Sequence, residues 1–123
     1  MKRVLQAVAS LGLGCALLSG CSEAELPQRS LNRDDCLREV QLEQLDAAIK
    51  RCNQVVAQFP QDPGPRNERS LLLALMGDDA AACREIEAAH KLAQQASKAN
   101  KPSLDPLLSS ELATRRQSCQ SSL

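Results

Sequence analysis

Apolar residues recur at intervals of three and four along most of the chain after residue 32, the spacing of one buried face of an amphipathic helix. The segments that follow this period, and that we predict to be helical, are 33–44, 46–58, 66–76, 78–99 and 104–119. Because consecutive segments are joined by short connections, we expect all-α architecture: about five helices in antiparallel hairpins.

Residues that stop or start helices support these boundaries. The proline-rich run from Phe59 to Pro65 ends the second predicted helix, and Gly77 is suited to cap the third. A turn is expected over 100–103, and Asp105-Pro106 is a typical helix start. The domain predicted from these signals spans 33–119, with 120–123 as a frayed end.

The composition favours helices and argues against several kinds of binding site. Ala, Leu and Gln dominate together with Glu, Lys and Arg, and Phe59 is the only aromatic residue. Aromatic side chains usually anchor small molecules, sugars and single-stranded nucleic acid. We therefore expect no small-molecule substrate.

The first 21 residues have the organisation of a bacterial export signal. Lys2 and Arg3 precede an apolar stretch from Val4 to Leu18, which is short for a membrane span. The next residues, Leu18-Ser19-Gly20-Cys21, resemble the lipobox of bacterial lipoproteins.

This resemblance implies that residues 1–20 are a signal peptide and that Cys21 carries a diacylglycerol thioether and an acylated amino group. Two or three acyl chains anchor a protein stably. Residues 21–32 are then a tether. Ser22, rather than Asp, after the cysteine favours the outer membrane facing the periplasm in a Gram-negative host. The alternative is an ordinary secretory signal, with Cys21 a plain thiol.

Without its signal the chain is close to neutral. Of the 15 Lys and Arg residues, Lys2 and Arg3 are removed, which leaves 13 against 15 Asp and Glu. Nucleic acid and anionic lipid both attract clustered positive charge. We therefore expect no nucleic-acid partner.

Four cysteines remain beside Cys21, and an exported protein can form disulfides. In an antiparallel hairpin, facing residues lie symmetrically about the turn. Cys36 and Cys52 are centred on the turn near residue 44, and Cys83 and Cys119 on residue 101. These two pairs are predicted, because a Cys52–Cys83 bond would be centred inside a helix. Redox catalysis and zinc binding are the alternatives, but the close cysteine pairs typical of both are missing.

A 34-residue period relates the second and fourth predicted helices. Ala48, Cys52 and Val55 recur as Ala82, Ile86 and Ala89, and Pro60 stands where a tetratricopeptide repeat closes. Residues 33–92 therefore resemble a tetratricopeptide-like domain, although Cys36 and Ser70 stand where that family prefers Gly or Ala. A generic helical bundle with the same spacing is the alternative.

The tetratricopeptide resemblance implies a groove that accepts a helix or an extended peptide of another protein. The positions that it maps to the groove are Arg33, Leu37, Val40, Asn67, Leu71, Ala74 and Leu75. The run 71–75 contains more leucine than one helix face needs, so it is either part of this contact surface or buried core.

No residue pattern indicates catalysis. His90 is the only histidine and lies in the fourth predicted helix, where surface or core-edge positions are usual. The Asp34-Asp35 and Asp78-Asp79 pairs stand at predicted helix starts, where acids suit the helix dipole. Neither a phosphate-binding loop nor a nucleophile elbow is present. We expect no catalytic, cofactor or metal-binding residues.

The sequence therefore predicts an envelope lipoprotein that is not an enzyme and that binds another protein. By resemblance, such lipoproteins assist the assembly of outer-membrane, pilus or secretion machines. An immunity or inhibitor protein against a toxin or hydrolase, and a purely structural envelope lipoprotein, are the alternatives.

Overall fold

The computed structural model describes residues 29–101 and 105–122, which contain helices and turns and no strand. A short 3-10 helix, Leu42–Gln44, precedes four α-helices. These are α1 (Leu45–Gln58), α2 (Pro63–Leu75), α3 (Asp79–Lys98) and α4 (Pro106–Ser121). The all-α prediction is confirmed, and the signal peptide and Cys21 lie outside the described residues.

Each helix packs antiparallel against the next one along the chain. Side-chain pairs that lie symmetrically about the connections show this arrangement. Arg69 in α2 donates to Oδ1 of Asn53 in α1 at 3.0 Å and to Oε1 of Glu85 in α3 at 2.6 Å. At the next hairpin, Arg116 in α4 donates to Glu87 in α3 at 2.7 Å.

Two separate apolar clusters form the core. The first cluster joins the segment before α1 to α1 and α2, and its buried members are Cys36, Ala48, Cys52, Val55, Val56 and Leu72. The second cluster joins α3 to α4 through Ile86, Ala89, Ala93 and Leu112. Since alanine supplies much of this buried surface, hydrophobic burial stabilises the domain less than a leucine-rich core would.

One disulfide belongs to the first cluster, and the other joins α3 to α4, the two helices of the second cluster. The structure contains Cys36–Cys52, with Cα atoms 4.3 Å apart, and Cys83–Cys119, with Cα atoms 5.7 Å apart. These are the pairs that hairpin symmetry predicts. On the chain-entropy model, each bond stabilises the fold by about 3–4 kcal/mol.

The prediction of a first α-helix over 33–44 is wrong. Residues 33–39 form turns, Glu39 has a φ of 50°, and helical structure starts only with the 3-10 turn. Arg51 in α1 donates through Nε to the carbonyl oxygen of Asp35 at 2.9 Å and also bonds the carbonyl of Arg38. Tertiary contacts therefore use carbonyl groups that an α-helix would bond internally.

The third predicted helix, which corresponds to α2, starts earlier than the proline-rich sequence indicates. Helix α2 begins at Pro63, three residues before the predicted start. The Asp62 carboxylate accepts from the Gly64 N–H at 2.9 Å and caps the helix. Prolines at 63 and 65 remove no helical hydrogen bond, since first-turn N–H groups have no partner within a helix.

The ends of α2 and α3 have the same construction. Gly77 has a φ of 81°; its N–H donates to the carbonyl of Ala74, and the following N–H of Asp78 donates to Leu73. This is a Schellman motif, as the sequence predicts for Gly77. Asn100, with a φ of 50°, ends α3 through the equivalent pair of hydrogen bonds.

The folded region reaches slightly beyond both predicted limits. Leu31 packs against the first cluster, and Arg29 forms an ion pair with Asp35. The last residues of the predicted tether, 29–32, thus contact the domain. At the other end, α4 continues to Ser121, two residues past the predicted end of the last helix.

Candidate functional site

The three groove residues assigned to the first predicted helix do not share a helical face, because that segment is not a helix. Arg33 pairs with Asp62, with Nε 3.0 Å from Oδ2. Val40 packs against the first apolar cluster, while Leu37 is 39% exposed. Leu37 and Arg33 are therefore exposed to solvent, whereas Val40 contributes to the core.

Asn67 is an internal residue rather than a surface contact. It is 5% exposed, and its Nδ2 donates to Oε1 of Glu111 at 3.1 Å. Arg115 donates to the side-chain oxygen of Asn67 at 2.6 Å. The polar groups of Asn67 thus join α2 to α4 and are engaged within the chain.

The leucine-rich run of α2 is divided between core and surface. Leu72 is completely buried, Leu71 and Leu73 are half-buried, and Ala74 is exposed. Leu75 is 56% exposed and the following Met76 is 44% exposed. The part of the run that is exposed is therefore its C-terminal end, Ala74 and Leu75, and the exposure continues at Met76, which the sequence reasoning did not select.

A depression adjoins this exposed end of α2. It has a volume of about 470 Å³ and lies where α2 ends, α3 begins and α4 ends. Its lining residues, which define what we call the inner depression, are Ala74, Asp79, Ala82, Cys83, Ile86, Arg115, Ser118, Cys119 and Ser122. Small and apolar side chains thus form much of the wall, with one acidic and one basic residue.

A second depression, of about 510 Å³, also borders the Cys83–Cys119 bond. The residues of this outer depression are Asp79, Ala80, Cys83, Arg84, Ile86, Glu87, Arg116, Cys119, Gln120 and Ser122. The outer depression includes the residue that follows each cysteine, Arg84 in α3 and Gln120 in α4. The inner depression instead includes the residue that precedes each cysteine, Ala82 and Ser118. Both depressions border the disulfide, and their linings share Asp79, Cys83, Ile86, Cys119 and Ser122.

The aromatic residue Phe59 lines a different depression, near the start of α2. Its volume is about 480 Å³, and it also includes Leu92 and Ala96 from the C-terminal half of α3. Phe59 is half-buried and packs against the first cluster. Its ring therefore contributes to the core as well as to the surface.

A polar depression of about 500 Å³ collects several carboxylates between α2 and α4. Glu68 is the least solvated of them: its Oε2 is enclosed and has no hydrogen-bond partner within the described ranges. Burial raises the pKa of Glu68 to about 7, and the nearby carboxylates of Asp34 and Asp62 contribute in the same direction. Sequence reasoning missed this group because its burial arises from long-range packing.

The paired aspartates hold local structure. The Asp78 carboxylate accepts from the Ala81 N–H at 3.0 Å and caps α3. Asp35 accepts from the Asn32 N–H at 2.7 Å, and this bond and Arg29 keep the pKa of Asp35 below its usual value. Both pairs contain a carboxylate that is engaged in capping a helix or a turn.

His90 is half-buried in α3, and residues 29–101 and 105–122 contain no group of three His, Cys, Asp or Glu side chains placed to hold a metal ion. Of the helices in these ranges, none has the length and apolarity needed to cross a bilayer.

Comparison of the chain with protein-family models, with curated proteins and with solved structures finds no match.

Proposed function

We propose that the protein is a lipid-anchored lipoprotein of the bacterial envelope whose helical domain binds a segment of another protein at the membrane surface. The anchor is Cys21, which completes the lipobox-like Leu18-Ser19-Gly20-Cys21. The two disulfides support this proposal, since such bonds persist in oxidising compartments such as the periplasm.

The exposed end of α2 is the observation that carries the binding proposal. Leu75 and Met76 are 56% and 44% exposed, and they directly follow Ala74, which lines the inner depression. An exposed apolar pair beside a concave wall with small side chains is suited to receive an apolar side chain. Met76 adds a flexible side chain that can adapt to different partners.

The chemistry of this surface defines the kind of partner. Ala74, Ala82 and Ile86 form an apolar wall, and Arg115 and Asp79 supply one charge of each sign. The surface fits an apolar segment, helical or extended, rather than a strongly charged one. A domain held by its lipid at the periplasmic face would meet such segments during assembly of an outer-membrane, pilus or secretion machine.

The test is crosslinking in cells with Leu75→Glu and with Leu42→Glu as the matched control. Leu42 is 67% exposed and belongs to the 3-10 helix, so both variants place a charge at a solvent-accessible leucine. We expect Leu75→Glu to reduce capture of one specific protein about tenfold or more, while Leu42→Glu leaves it unchanged.

The captured protein also separates the possible roles. A component of an assembly machine supports the proposed function, whereas a toxin or hydrolase identifies an immunity or inhibitor protein. Equal capture by wild type and Leu75→Glu, with both folded by circular dichroism, excludes this surface as the binding site.

A further inference from the structure

The two disulfides differ in their access to solvent. Cys36 and Cys52 are both completely buried, and each Sγ lies 3.6 Å from the carbonyl oxygen of Pro65. Cys83 and Cys119 are half-buried. The inner and outer depressions both include the two cysteines of this second bond. A reagent can therefore approach Cys83–Cys119 without unfolding of the domain, but not Cys36–Cys52.

The accessible bond holds a helix that has few other attachments. Among the described residues of α4, Leu112 alone is fully buried, and Leu108 is the half-buried residue that joins it on the second cluster. Near the C-terminal end of α4, the other attachments are the Arg116–Glu87 ion pair and the hydrogen bonds from Arg115 to Asn67. These polar contacts are partly exposed, so the disulfide is the strongest constraint on this end of α4.

Charged side chains of both signs line the two depressions that border the bond. Arg84 and Arg116 line the outer depression and Arg115 lines the inner one, together with the acids Asp79 and Glu87. Thiol–disulfide exchange releases a thiolate leaving group, and nearby guanidinium groups stabilise that anion.

We propose that Cys83–Cys119 is a site of thiol–disulfide exchange with an external dithiol, and that its opening releases the C-terminal half of α4 from α3. A thiolate of the dithiol attacks one sulfur of the bond, so a mixed disulfide forms and the other cysteine leaves as a thiolate. The second thiol of the dithiol then attacks the mixed disulfide. Two electrons and two protons pass to the protein, which ends with two thiols, and the dithiol becomes a disulfide.

Release of α4 would change the surface around the inner depression, because Arg115, Ser118 and Cys119 form its α4 side. It would also uncover Ile86 on α3, which is 1% exposed in the oxidised protein. The exchange reaction itself needs no protein partner. Its test is therefore separate from the test of the proposed function.

The reaction is tested by graded reduction of the purified full-length mature protein with dithiothreitol, followed by alkylation and peptide mass mapping. We expect Cys83 and Cys119 to be alkylated at least about tenfold faster than Cys36 and Cys52, because attack requires access to a sulfur. Opening of both bonds at the same rate, or of Cys36–Cys52 first, overturns the proposal.

Hydrogen exchange tests the release of α4. After selective reduction, amides 113–121 should lose protection while those of α1 and α2 keep it. Unchanged protection of 113–121 would show that α4 stays docked without the bond and would overturn that part of the proposal.

A Cys83→Ser, Cys119→Ser variant supplies an independent measurement that needs no reductant. It should retain the protection of α1 and α2 and show the same loss over 113–121. If α4 stays protected in this variant, the disulfide does not hold the helix in place.

Discussion

Arg115 in α4 donates a 2.6 Å hydrogen bond to Oδ1 of Asn67 in α2, across 48 residues of sequence. The same asparagine donates to Glu111, and Arg115 also bonds the Asn67 carbonyl oxygen at 3.2 Å. Since helix α4 otherwise packs mainly on α3, this pair gives the last helix a direct attachment to α2.

Replacement of Asn67 by alanine should destabilise the domain by about 1–3 kcal/mol, because partly buried polar groups on α4 lose their partner. Asn53→Ala is the matched control: Asn53 also accepts from an arginine but is exposed. Urea unfolding followed by circular dichroism measures both variants. Equal losses of unfolding free energy would show that burial of Asn67 has no special effect.

The stability of the protein should fall as the pH rises from about 4.5 to about 7. Burial raises the pKa of Glu68 from 4.5 to about 7, so in this window the folded state holds a proton that the unfolded chain releases. The contribution of Glu68 to the free energy of unfolding therefore decreases through this window and levels off above it.

A Glu68→Gln variant isolates this contribution. It should be more stable than wild type by about 1–2 kcal/mol at pH 8 and show a smaller change between pH 5 and 7, after allowance for solvent screening of a half-buried group. Glu43→Gln, at an exposed position, is the control. If both variants follow the wild-type pH profile, burial does not raise the pKa of Glu68.

Arg51 should be required for the turns over 33–39. Arg51→Met removes the donors to the carbonyl groups of Asp35 and Arg38, and we expect a loss of about 1–2 kcal/mol in unfolding free energy. Hydrogen exchange should accelerate over 35–40. The neighbouring exposed Lys50, changed to methionine, should have little effect; similar exchange in both variants would contradict this role.

Gly77 is required because of its backbone conformation, not because a larger side chain would collide with its neighbours. It has a φ of 81°, and a Cβ atom there would meet nothing within 4 Å. Gly77→Ala should therefore cost about 1 kcal/mol through strain alone. Gly77→Asn should cost less, because Asn100 occupies the equivalent position of α3. Thermal unfolding that ranks asparagine below alanine would refute this explanation.

Local signals in the sequence were sufficient to predict that α1 to α4 exist and to predict the disulfides, although the start of α2 was predicted three residues too late. The end of α2 can be predicted from Gly77 alone, because glycine readily adopts the positive φ of a helix cap. The cysteine pairs follow from their symmetry about two turns. The prediction of the first helix was wrong because Arg51 donates hydrogen bonds to the carbonyl groups of Asp35 and Arg38, which lie 16 and 13 residues before it.

The candidate site was predictable only in part, because a helical period does not show where burial stops. Leu72 and Leu75 lie in one leucine-rich run, yet one is completely buried and the other is 56% exposed. The tetratricopeptide resemblance mapped Asn67 to a surface groove, but this side chain is 5% exposed and accepts a hydrogen bond from Arg115, 48 residues away. For Cys119, the polar neighbours Ser118 and Gln120 were a usable signal that its bond lies near solvent.

The anchor at Cys21 is the claim from which the proposed role at the membrane follows. The most direct test is the intact mass and membrane partition of the protein recovered from cells, for wild type and for Cys21→Ala. We predict a wild-type chain that begins at an acylated Cys21 and partitions into membranes, and a Cys21→Ala chain that does neither. A wild-type protein with an unmodified Cys21 thiol, or a Cys21→Ala protein that still partitions into membranes, would contradict the account.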